Sequence, residues 1–175
     1  MRKILAVLLT ILLFTLSGCG NEKDIRKDLE STLNELISQS GSEEVYVYRA
    51  DIFQEDSGSE TTLDNLRSKV TYKIRDIGDS KATVVFTAPD TMALLNAAVQ
   101  SGVSDTEELM GAVDEALQGD FPTCEYEVEL ELKEMNEHWY LVPNAQLENA
   151  LSGGLLDGYS EGVMDYVNRS EETVK

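Results

Sequence analysis

One histidine, one tryptophan, three prolines and two cysteines in 175 residues set the first limits. A single imidazole and, at most, one spare thiol are too few ligands for a zinc or redox-metal site. Basic residues are scarce as well: 14 Lys+Arg stand against 33 Asp+Glu, a net charge of −19 and a pI near 4.2. A field of that sign repels phosphate backbones and excludes nucleic acid as a partner. The apolar run from Ile4 to Leu16 is 13 residues long, short of the roughly 20 needed to span a hydrocarbon core. There is no EF-hand loop, phosphate-binding glycine loop, nucleophile elbow or paired-acid motif. No catalytic residue, metal or cofactor is therefore assigned. What remains is a chain with 42% hydrophobic residues, enough for one compact domain with a proper core.

The N-terminus is an export signal. Arg2 and Lys3 form a positive start, and the run from Ile4 to Leu16 is its apolar centre. Leu16-Ser17-Gly18-Cys19 resembles the signal of bacterial lipoproteins: a leucine, two small residues and the cysteine whose thiol accepts diacylglycerol. The resemblance implies that residues 1–18 are removed and that Cys19 is lipidated. It implies a location at the cell membrane, anchored by lipid on the extracytoplasmic face. The mature chain then carries 12 basic against 33 acidic side chains, a net −21. Cys124 is left without a partner, so no intramolecular disulfide is expected. It reads as a small apolar strand residue, because Glu125 and Tyr126 offer no cation to activate its thiol.

Residues 19–154 read as a single domain. Ile25, Leu29, Leu33, Leu36 and Ile37 give an amphipathic helix over 21–40. Residues 44–53 read as a strand, 54–62 as a polar loop and 63–66 as a short helical turn. Two strands over 68–77 and 81–88, joined by Gly78-Asp79-Ser80, form a hairpin. A helix over 90–100 follows, with Met92, Leu95 and Val99 inward. The next opens with Ser104 and Glu107 at capping-box spacing and buries Leu109, Val113, Ala116 and Leu117. A second hairpin pairs 124–134 with 138–142 around Met135-Asn136-Glu137. Asn144 caps a short helix that Gly153-Gly154 ends, and 155–175 forms a C-terminal helical tail through Tyr159, Val163 and Val167. Segregated helices and antiparallel strands make the fold α+β: a curved antiparallel sheet wrapped around the N-terminal helix, with a two-helix insert between the hairpins.

The stretch MNEHWYLVPNAQLENALSGGLLDGYSEGV resembles the C-terminal part of small Gram-positive lipoproteins with a nuclear transport factor 2-like, cone-shaped domain. The resemblance rests on a polar turn before Trp139 and Leu141, and on a short helix ending in Leu151 to Gly154. His138 and Tyr140 depart from that pattern, where basic residues are commoner. The group implies no assigned activity. Cone folds of this superfamily include enzymes such as ketosteroid isomerase, which hold an apolar ligand. A pocket of that kind here would use Tyr72, Tyr126, His138 and Tyr140.

In CEYEVELEL, residues 124–132, Glu125, Glu127, Glu129 and Glu131 alternate with Cys124, Tyr126, Val128, Leu130 and Leu132. Alternate side chains on a strand stand about 7 Å apart and in parallel, so these carboxylates spread instead of converging on a cation. They read as the solvated face of a half-buried strand, paired across the sheet with Lys69, Lys73 and Arg75.

Two functions follow from these residues. The first is a non-catalytic, lipid-anchored binding or interaction module of the cell envelope, monomeric, whose partner is an envelope protein or small ligand. The alternative is a small-ligand enzyme or carrier that uses the mouth of the cone. An interior filled by Phe86, Tyr126 and Trp139 argues against the second. Close to the anchor, Lys23, Arg26 and Lys27 either face the membrane or are solvated helix charges paired with Asp24, Asp28 and Glu30.

Overall fold

The computed structural model describes residues 22–39, 43–48, 60–103, 105–158 and 160. The expected export signal, the expected lipidation site Cys19 and most of the tail beyond 158 lie outside them. So does the strand expected over 44–53, beyond Tyr48.

The chain is α+β, with helix first. α1 covers 22–38, followed by α2 (Glu60–Ser68), β1 (Thr71–Ile77), β2 (Lys81–Pro89), α3 (Thr91–Gln100), α4 (Thr106–Ala116), β3 (Thr123–Met135), β4 (His138–Val142) and α5 (Ala145–Leu151). Four strands form one antiparallel sheet in the order β1-β2-β3-β4. The pair α3–α4 is inserted between the neighbouring strands β2 and β3. Beyond β4, Val47 makes a parallel bridge with Leu141, held by Tyr48 N–H to Leu141 O and Leu141 N–H to Tyr46 O, both 2.8 Å.

Period-two alternation places one side of the sheet in the core. Ala82, Val84, Phe86 and Ala88 of β2 join Val128, Leu130 and Leu132 of β3 and Trp139 and Leu141 of β4. They pack on Ile25, Leu29 and Leu33 of α1 and on Leu147, Ala150 and Leu151 of α5. Burying a leucine or phenylalanine side chain contributes about 1.5–3 kcal/mol, so this one face supplies much of what holds the domain together. A second cluster, Leu66, Leu94, Val113 and Leu117, joins α2, α3 and α4.

Several local expectations are corrected. α2 starts at Glu60 and is longer than the turn expected over 63–66, because Thr62 Oγ1 and Asn65 Nδ2 both donate to the Asp114 carboxylate of α4, at 3.0 and 2.9 Å. α3 turns Thr91, Leu94 and Ala98 inward, and Val99 is 57% exposed. Its rotation is set at its first residue, where Thr91 Oγ1 donates to Ser152 O at 2.8 Å and Thr91 N–H to Gly153 O at 3.1 Å. α4 is capped by Asp105, not Ser104: its Oδ1 accepts Glu107 N–H at 2.8 Å and Glu108 N–H at 3.3 Å. Ala116 of α4 is exposed.

The β3–β4 turn is a two-residue turn. Met135 pairs with His138, and Asn136 and Glu137 take φ of 53° and 68°. Two left-handed residues match the twist of the flanking strands. The short helix α5 ends where the sequence placed its end. Gly153 (φ 62°) and Gly154 (φ 83°) follow it, and a Cβ would strike the Pro89 carbonyl at the first and the Tyr126 hydroxyl at the second. Those glycines let α5 close against the end of β2.

Candidate functional site

At the β4 edge the sheet brings together groups far apart in sequence. Along β4, Trp139 and Leu141 point into the core, leaving His138 and Tyr140 on the opposite face. The segment 43–48 lies beside them. The Tyr46 ring stacks on His138 with centroids 4.5 Å apart and planes at 12°, and meets Tyr140 edge-on at 5.5 Å and 82°. On the adjoining β3, Lys133 Nζ sits 4.1 Å from the centre of the Tyr48 ring. Such cation–π contacts and offset rings contribute about 0.5–1.5 kcal/mol each.

Beneath the patch is a buried carboxylate. Asp28 of α1 is 5% exposed, and its Oδ2 accepts the Trp139 backbone N–H at 2.9 Å. The same oxygen lies 3.4 Å from His138 Nδ1, yet that nitrogen makes no hydrogen bond. The two are close in charge but not a hydrogen-bonded pair; the oxygen is committed to the backbone. Asp28 is thus not a solvated partner of the basic residues of α1. Arg26 instead sits 3.5 Å from Glu22 and 3.9 Å from Glu30, both exposed pairs.

Tyr46 hydrogen-bonds the Glu44 carboxylate. That bond, more than burial, pushes the phenol up to about 12, so it stays protonated at neutral pH. Two of the four exposed large hydrophobic residues among the described positions are Val45, which precedes Tyr46 in the chain, and Met135, which pairs with His138. The arrangement offers stacking, cation–π and hydrogen-bonding contacts. Among the described residues, it brings no nucleophile to the histidine.

The other two expected pocket residues lie elsewhere. Tyr72, Phe86 and Tyr126 form one rung across β1, β2 and β3. Phe86 is fully buried between the two tyrosines. Tyr72 Oη donates to Asn34 Oδ1 of α1 at 2.8 Å, and burial raises its pKa. Tyr126 lies against Gly154, and burial pushes its phenol up to about 12. Cys124 Sγ donates to Asp90 Oδ2 at 3.3 Å. Burial first, and that carboxylate second, raise the thiol above its usual range, which makes it a poor nucleophile. The structure therefore brings His138 and Tyr140 together, around a tyrosine that sequence reasoning did not single out, and keeps Tyr72 and Tyr126 apart from them.

The carboxylate row lies on the solvent side of β3, with Glu125, Glu127, Glu129 and Glu131 all exposed. Arg75 reaches Glu127, and Lys81 Nζ lies 2.6 Å from Glu129. Lys81 takes the place expected for Lys69 and Lys73, because the β2–β3 register puts it opposite Glu131 and next to Glu129. Its hydrogen bond to Glu129 raises its pKa. With more than half of each side chain exposed, such pairs contribute about 1 kcal/mol at most.

No family model, curated protein or solved structure matches the chain.

Proposed function

We propose that this protein is a lipid-anchored, extracytoplasmic binding module of the bacterial cell envelope, with no catalytic role. Its domain is a nuclear transport factor 2-like cone in which the sheet curves around α1. The observation that carries the binding role is the aromatic edge of Tyr46, His138 and Tyr140, with Val45 and Met135 exposed beside it. Aromatic rings and methionine flanked by charged groups are the composition of contact surfaces, and clustered exposure of apolar groups marks such sites. The anchor at Cys19 rests on Leu16-Ser17-Gly18-Cys19 and the charged, apolar stretch before it. Phe86, buried between Tyr72 and Tyr126, speaks against an enzyme or carrier that holds its ligand inside the cone.

Photo-crosslinking in the native cell tests the binding face. A benzophenone amino acid replaces Tyr140 in one variant and the exposed Glu115 of α4 in another. Adducts are expected from position 140 and not from 115. Equal yields from both, or none from 140, would sink the aromatic edge as the contact surface.

A further inference from the structure

The far edge of the sheet carries a second, independent surface. β1 pairs only with β2, so the outer backbone groups of Thr71–Ile77 have no strand partner among the described residues. Next to this edge, on the solvent face of the sheet, lies a concavity of about 440 Å3 that runs from Thr71–Arg75 of β1 across Val85 and Thr87 of β2 to Glu125 of β3.

The charge of this edge opposes that of the chain. Four of the 14 basic residues, Arg67, Lys69, Lys73 and Arg75, fall in the nine positions 67 to 75, which hold no acidic residue. Lys73 and Arg75 share the solvent side of β1 with Thr71. Arg75 is engaged by Glu127, but Lys73 has no carboxylate within ion-pair distance among the described residues. In a protein of net −19, an unneutralised ammonium beside free backbone groups selects an anionic partner by complementarity.

We propose that β1 accepts an extended acidic peptide segment of a partner protein, which adds as a strand to the sheet and sets its carboxylates against Lys73 and Arg75. Main-chain hydrogen bonds give such an addition its affinity and alternate side chains give its selectivity. A second copy of this chain does not fit, because antiparallel β1–β1 pairing would set cations opposite cations. The register shift between Ile74 and Asp76 limits the pairing to the first part of the strand. A bulge of that kind also protects an open edge from unlimited addition. This site depends neither on the lipid anchor nor on the aromatic edge, so its failure would leave both standing.

The test uses the purified full-length chain in neutral detergent and the labelled peptide Ac-Glu-Thr-Glu-Val-Glu-Thr-NH2, followed by fluorescence anisotropy. The acidic peptide is expected to bind saturably and more weakly as salt rises, and its Lys-for-Glu counterpart not at all. The K73Q/R75Q double variant should weaken binding by about tenfold or more. Methylating alternate amide nitrogens of the peptide should abolish binding. Absence of saturable binding at millimolar peptide overturns the proposal, as does unchanged affinity in K73Q/R75Q. Equal binding of the methylated peptide also overturns it, by reducing the site to a patch for anions. That last comparison needs no protein variant, so it holds even if K73Q/R75Q fails to fold.

Discussion

Asp28 Oδ2 accepts the backbone N–H of Trp139 at 2.9 Å, joining α1 to the start of β4 across 111 positions of sequence. Hydrogen bonds to buried ionised groups contribute about 1.5–3 kcal/mol. Asp28→Ala removes the acceptor and leaves the Trp139 N–H buried without a partner, and should cost about 2–3 kcal/mol in urea unfolding. Asp28→Asn keeps an acceptor of the same shape and should cost clearly less. Equal losses in the two variants would show that the charge near His138, not the backbone bond, is what matters.

The β3–β4 turn holds a side chain where glycine is favoured. Glu137 has φ of 68°, a left-handed conformation that a Cβ makes costly, and it follows Asn136 in a turn that prefers Asn-Gly. Glu137→Gly should stabilise the domain by about 0.5–1 kcal/mol. A drop in the thermal midpoint of that variant would contradict this account of the turn.

Gly153 and Gly154 predict the opposite sign. Each has positive φ, and neither has room for a methyl group. Gly153→Ala forces the end of α5 away from the Pro89 carbonyl and should cost more than ~2 kcal/mol, as overpacking and φ strain add. Gly154→Ala meets only the Tyr126 hydroxyl, so Tyr126→Phe should relieve part of its cost. A double-mutant cycle with no coupling between positions 126 and 154 would refute that contact.

Much of the fold was legible because it follows hydrophobic period. The stripe of Ile25, Leu29 and Leu33 and the alternation of CEYEVELEL are each set by one element, and both faces landed as the pattern indicates. The Asn144 cap and the Gly153-Gly154 stop were legible for the same local reason. The face of α3 was not. Its apolar residues, Met92, Ala93, Leu94, Leu95, Ala97, Ala98 and Val99, surround most of the helix, so tertiary hydrogen bonds at Thr91 decided its rotation. The site was half legible. His138 and Tyr140 alternate with core residues of one strand, but Asp28 read as one more helix charge, and nothing local says that α1 passes under Trp139. Residues 44–53 read as a strand, yet the meeting of Tyr46 and Tyr48 with β4 is a long-range pairing.

Alkaline pH should destabilise the domain in a defined window. Tyr126 titrates at about 12 in the fold against 10.0 for an unperturbed phenol, chiefly because burial disfavours the phenolate. The unfolded chain releases this proton first. The stabilisation is therefore fully present below pH 10.0 and is lost as pH rises toward 12. The unfolding midpoint should fall across that range, and Tyr126→Phe should flatten the fall. An unchanged slope in the variant would show that Tyr126 ionises freely in the folded state.

The central claim, a binding domain held at the membrane through Cys19, is tested most directly by the intact mass of the mature protein extracted from the membrane of its native cell. The account predicts a chain beginning at Cys19, heavier than its sequence by a thioether-linked diacylglycerol, and a Cys19→Ser variant that loses this mass and leaves the detergent phase. A mature protein that starts at any other residue, or that carries no lipid at Cys19, would contradict it.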